Sequence, residues 1–218
     1  DWSYESDNAE VDYYMNYKAL KKHVFDTSFT SCLELGPGPG TWTKVIFKVN
    51  PSAFFQLVDI SAEMKRQFNL EMRSLDNVKY TLSDIIDFKS EAKFDLFFSL
   101  RAIEYLDNKE IFFNKIYSMI SGGGKSLIIT KNKNFGFLKR KDRRLQHQGQ
   151  LSAEEYVVLI KKCGFKNVEV YPVIIRTPII DRFNCRFSEY VFTKTFDKKL
   201  RGFFLTRMTE SFLIKFEK

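Results

Sequence analysis

Three acids and three glycines stand where apolar runs give way to turns. Glu34 precedes Gly36, Gly38 and Gly40, Asp59 closes a second apolar run nineteen residues after Gly40, and Asp84 follows a third. Without Cβ atoms, the alternate glycines let a ligand lie directly against the backbone. The turn then hands over to a helical pattern, whose free N–H groups suit a polar or anionic ligand group. A dinucleotide fingerprint needs G-x-G-x-x-G, but five steps from Gly36 or Gly38 land on Thr41 or Thr43. The spacing is instead E-x-G-x-G-x-G. An acid placed like Asp59 can accept two hydrogen bonds from ribose hydroxyls. It could instead cap the helix expected over 62–72, a task Ser61 can also perform.

The elements that must position these residues follow from periodicity. Strands are expected at 31–35, 54–59, 78–82, 94–100, 125–130, 168–175 and 211–216, with helices at 41–48, 62–72, 107–119 and 152–162 between them. Ser121-Gly122-Gly123-Gly124 reads as a stop between helix and strand. Strands alternating with helices at this interval predict an α/β fold, a doubly wound and mostly parallel seven-stranded sheet with an antiparallel last strand. Residues 9–25 carry a helical stripe through Val11, Tyr14, Tyr17, Leu20 and Val24, a lid or brace over the sheet. An aromatic, basic and helical excursion at 177–210 precedes the last strand.

At 218 residues the chain fits one domain, with 1–27 as the helical lid. The 44% hydrophobic fraction and 23 Phe indicate a globular protein. Eighteen consecutive apolar residues occur nowhere, and Asp1-Trp2-Ser3-Tyr4-Glu5 lacks the basic start of a signal peptide. Cys32, Cys163 and Cys185 are too few and too far apart for a disulfide framework or a metal site. These features predict a cytoplasmic protein without a metal. The net charge of +8 is concentrated in 131–144, which holds seven basic residues and one acid.

Taken together, ELGPGPG after strand one, VDIS ending strand two, LSDI after strand three, FDLFFSLRAIEYLDN at strand four and SGGGKSLIITKN at strand five resemble the stations of class I S-adenosylmethionine (SAM) methyltransferases, in their order. The resemblance spans roughly 30–175 and is nearest to the small-molecule type found among sugar, lipid and quinone methyltransferases. It implies that Glu34 holds the methionine end and that Gly36, Gly38 and Gly40 admit the SAM backbone. Asp59 would bind the ribose, Ile60 pack on adenine, Asp84 accept from the adenine amino group with Ile85 beside it, and Ser99 and Leu100 contact the methionine moiety.

For the acceptor side, a hydroxyl acceptor would gain from a general base. The candidates are His147, in the basic loop, His23, Glu104, and Arg101 with a carboxylate partner; Arg101 could also bind an acidic substrate, Glu104 could only brace the following turn, and His23, on the first helix, reads as structural. An Asn/Asp-Pro-Pro-aromatic signature for amino-directed nucleic-acid methylation is absent, Phe98-Ser99-Leu100-Arg101 standing in its place. An RNA-directed activity would rest on the basic 131–144 loop alone, where only Phe135 and Phe137 interleave. In the excursion, Phe183, Phe187, Tyr190, Val191, Leu200, Phe203 and Phe204 recur among Arg and Lys. They form either a cap over the acceptor pocket, the preferred reading, or a basic amphipathic face for a membrane or lipid-linked acceptor. The expected function is methyl transfer to a small molecule, with a saccharide or lipid-linked intermediate among the candidate acceptors and a non-catalytic SAM-binding partner protein as the other class.

Overall fold

In a computed structural model, residues 7–24, 27–72, 75–136, 149–177, 179–180, 183–184 and 186–218 are described. The strands are β1 (Ser31–Leu35), β2 (Phe54–Asp59), β3 (Val78–Leu82), β4 (Phe94–Leu100), β5 (Ile120–Lys131), β6 (Lys166–Ile175) and β7 (Thr209–Glu217). The helices are α1 (Asp7–Val24), α2 (Thr41–Phe47), α3 (Ala62–Glu71), α4 (Lys109–Met119), α5 (Ala153–Lys162), α6 (Arg186–Thr195) and α7 (Phe203–Met208). They surround one sheet of order β3-β2-β1-β4-β5-β7-β6. The pairs β2–β3, β1–β2, β1–β4 and β4–β5 are parallel, whereas β7 lies antiparallel between β5 and β6.

Alternation along each central strand divides the core in two. Cys32, Phe55, Leu57, Leu96, Phe98, Leu127 and Ile129 face one side, under α1, α2, α3 and α6. Leu33, Leu35, Val58, Phe97 and Ile128 face the other, under Phe112, Phe113 and Ile116 of α4 and Tyr156 and Ile160 of α5. Burial on both faces explains why these strands are apolar throughout. Local signals set the helix starts. The Ser61 hydroxyl accepts from the Met64 N–H, Asn108 caps α4 by accepting from the Ile111 N–H, and Ser152 with Glu155 forms a capping box on α5.

Two expectations change. The glycines at 122–124 do not interrupt helix and strand, because β5 already begins at Ile120. Phe94 pairs with Ile120 and Leu96 with Lys125, so β5 carries three extra residues in a bulge. That bulge is anchored by the Ser121 hydroxyl, 2.8 Å from the Phe94 carbonyl and 3.0 Å from Asp95 Oδ1. On α1, the buried stripe runs Val11, Met15, Ala19, Leu20 and Val24. Tyr14 and Tyr17 flank it, half-buried, since a phenol can keep its hydroxyl in water while its ring packs. No described helix is long and apolar enough to cross a membrane.

Candidate active site

The parallel strands end on one edge, and the turns after β1, β2, β3 and β4 carry the expected site residues there. Gly36, at φ +68°, continues the sheet by donating to the Val58 carbonyl at 2.9 Å. A Cβ at this glycine would stand 2.3 Å from the Ala102 Cβ, so the glycine turn presses directly on the segment that follows β4. Gly40, at φ +89°, starts α2 against the ring of Phe68.

Beneath this turn lies Glu34, 1% exposed. Burial pushes its carboxyl up to about 8, the nearby Asp59 charge adds to the rise, and the Thr43 hydroxyl opposes it. Glu34 Oε2 and Thr43 Oγ1 are both buried without a hydrogen-bond partner of good geometry. An orphaned carboxyl oxygen is costly inside a protein and is satisfied by a donor or cation arriving from outside.

Asp59 shapes the next turn. Its Oδ1 accepts from the Ser61 N–H at 2.9 Å and its Oδ2 from the Gly38 N–H at 3.3 Å. One carboxylate thus ties the ends of β1 and β2 together, while Ser61 takes over the helix cap. Ile60 is 74% exposed, and Leu82, opposite Asp59 in the β2–β3 register, is half-exposed. Two apolar side chains left in solvent on either side of an acid offer faces for a flat ring. Asp84 is exposed and uses Oδ1 to hold the Ile86 N–H at 2.8 Å. Ile85, by contrast, is buried in the core under α4. Ser99 is also buried, donating to the Leu35 carbonyl at 3.1 Å, and Leu100 lies in the opposite core cluster.

Tyr80 and Leu82 went unnoticed in the sequence. Tyr80 lies beside Asp59, and burial together with that neighbouring charge raises its pKa. No spacing in the sequence marks it: Tyr80 is two residues before the partner of Asp59 in a parallel ladder, hence on the same face, and that register comes from the sheet.

Beyond β4 the structure brings Arg101 and Glu104 together. Arg101 Nε is 2.6 Å from Glu104 Oε1. Glu104 is buried, and the same oxygen accepts from the Lys131 N–H at 2.9 Å and the Thr130 hydroxyl at 3.3 Å. Glu104 is therefore a strut behind Arg101, with its Oε1 already engaged. His147, with most of the basic loop, lies outside the described residues. His23, in the last turn of α1, is buried against β6, its ring 4.3 Å from that of Tyr171, and desolvation with two nearby lysines lowers its pKa to about 4. It is remote in role from the edge just described. Among the described residues, no group of three or more His, Cys, Asp or Glu side chains is placed to hold a metal.

Comparison with known proteins bears on this edge. A family model described as a methyltransferase domain matches residues 26–175. Malonyl-[acyl-carrier protein] O-methyltransferase 1 of Ilyobacter polytropus is 29% identical over 121 residues, 51% of this chain and 45% of that protein. The chain spans about half the length of this relative and of its paralogue from the same organism. Among solved structures, the N-methyltransferase NodS from Bradyrhizobium japonicum WM9 superposes with a TM-score of 0.68 at 14% identity, over 98% of this chain and 99% of NodS. Phosphoethanolamine N-methyltransferase 2 of Haemonchus contortus, solved with SAM, also gives 0.68, at 20% identity over 94% of this chain and 52% of that one. At these identities the structural likeness speaks for the fold.

Proposed function

We propose that this chain, which belongs to the methyltransferase-domain family, moves the methyl group of SAM to a small-molecule acceptor at the edge formed by the ends of β1 to β4. The observation that carries the reading is the buried Glu34 carboxyl with an orphaned oxygen, set under a turn whose three glycines all have positive φ.

When bound, SAM supplies an electrophilic methyl on its sulfonium, and the protein's part is alignment and exclusion of water. Glu34 takes the ammonium of the methionine portion, and the backbone from Gly36 to Gly40 lies along it. Asp59, held from behind by two N–H groups, keeps lone pairs for the ribose hydroxyls. Ile60 and Leu82 clasp the adenine ring, and Asp84 takes its amino group. Ser99 and Leu100 close the floor, and Ile85 supports it from the core. Arg101 faces the acceptor with Glu104 behind it, so a proton leaving a hydroxyl acceptor goes to another group, for which His147 is the candidate.

The acceptor class is a small molecule, a saccharide or lipid-linked intermediate among the choices. The names of the relatives, which place methyl transfer on a malonyl–carrier conjugate and on phosphoethanolamine, support a non-nucleic acceptor. The excursion is a cap over the acceptor side. Two of its cations pair within the fold, Lys199 with Glu169 at 2.7 Å and Arg186 with Glu10 and Glu189, which favours a cap over a free basic face.

Calorimetric titration with SAM and S-adenosylhomocysteine (SAH), followed by an acceptor screen with methyl-labelled SAM, tests the reading. Saturable binding and label transfer are expected. A folded protein that binds neither compound would refute it.

A further inference from the structure

We infer that Arg101 is an oxyanion-binding residue and that the acceptor therefore carries a carboxylate or phosphate group; the inference rests on the SAM-binding reading for its orientation in the cleft. Arg101 is the first residue beyond β4, and its N–H, bonded to the Ile129 carbonyl at 2.8 Å, holds it at the sheet's ligand edge. Its φ of +64° is in the left-handed region, which a residue with a Cβ adopts only under local constraint. Strained residues of this kind gather where a side chain must be aimed. The next residue, Ala102, is the one that Gly36 touches, so Arg101 adjoins the turn assigned to the methionine end.

The ion pair determines which part of the guanidinium is available. Nε is buried against Glu104, and Glu104 is itself fixed by the Lys131 N–H and Thr130 hydroxyl. Arginine has five N–H donors in a rigid fork. With Nε turned inward, the two Nη groups form the outer end of a side chain that is 26% exposed. A fork held from behind and open in front has the geometry for bidentate capture of a carboxylate or phosphate. A freely moving lysine would supply charge without that aim.

Malonate and inorganic phosphate serve as probes, titrated into the protein with and without saturating SAH and followed by the arginine Nε resonances in 15N NMR. Wild type is expected to bind at least one probe saturably, shifting one arginine resonance that disappears in Arg101→Gln. Arg101→Gln should weaken probe binding about tenfold or more, Arg101→Lys should give an intermediate loss, and the remote Lys161→Gln should match wild type. A preference for malonate assigns a carboxylate to the acceptor, and a preference for phosphate assigns a phosphoryl group. Probe binding that is absent in wild type, or equally tight in Arg101→Gln, overturns the inference. SAH affinity is expected to be unchanged in Arg101→Gln. Failure of SAH to bind wild type would instead count against the SAM reading, and the SAH-free titration still decides the role of Arg101.

Discussion

Replacing Glu34 by Gln converts a buried titrating group into a neutral near-isostere, and the consequences can be worked through. In the unfolded chain a glutamate titrates near 4.5, whereas burial holds the native Glu34 near 8. Between these values the native protein binds the proton and the unfolded chain does not. Stability therefore falls as pH rises, because the unfolded state binds fewer protons. The contribution is fully present below about 4.5 and fully lost above about 8, a span of about 5 kcal/mol in the limit where one pKa unit corresponds to about 1.4 kcal/mol. In the proposed reading, SAM supplies the missing partner for the ionised carboxylate. Its binding should then release close to one proton at pH 7 and tighten about tenfold per pH unit up to about 8, levelling off above. Urea unfolding between pH 5 and 9 measures the first effect, and calorimetry in buffers of different ionisation enthalpy measures the second. Glu34→Gln should flatten both profiles and weaken SAM binding. A wild-type SAM affinity independent of pH from 6 to 8, or an undiminished slope in Glu34→Gln, would refute the reasoning.

Gly36→Ala should destabilise the fold by roughly 2–4 kcal/mol and prevent SAM binding, since an unfavourable positive φ adds to a Cβ placed 2.3 Å from that of Ala102; thermal melts and SAM titration check both. Asp59→Ala removes a charged acceptor for two ribose hydroxyls, so SAM should bind about a hundredfold more weakly while circular dichroism stays native, at about 1.5–3 kcal/mol per hydrogen bond to a charged group. His23 is held near 4 against an ordinary 6.5, so it contributes stability above about 6.5 that is lost as pH falls through 4, about 3 kcal/mol in all. His23→Phe keeps the ring against Tyr171 and should make the acid limb of the stability curve shallower; an unchanged acid limb would count against this assignment.

The central strands were legible because nothing competes with their signal. β1, β2, β3 and β4 run between the residues expected, with β1, β2 and β4 buried on both faces and β3 half-exposed at the sheet's edge. The entry to β5 was not legible, because the glycine run that breaks local structure is here held in the sheet by the contacts of Ser121 to Phe94 and Asp95, which lie 27 and 26 residues earlier in the chain. The stripe on α1 shifted because tyrosine satisfies either a core or a surface position. Spacing put Glu34, Asp59 and Asp84 at or just beyond the ends of β1, β2 and β3, where the structure has them, but could not reveal that Ile85 turns inward or that Leu82 turns out. Nor could it show that Glu104 and Arg101 form one unit, since an i,i+3 pair meets only where the turn after β4 is helical. Tyr80 needed the strand register, which only the sheet supplies.

The most direct test is a crystal structure of this chain grown with SAH. The account places the amino-acid end over Gly36 to Gly40 with its ammonium on Glu34, the ribose hydroxyls on Asp59, and adenine between Ile60 and Leu82 with its amino group at Asp84. Density for SAH elsewhere on the protein, or at this edge with Glu34 and Asp59 out of contact, would contradict it.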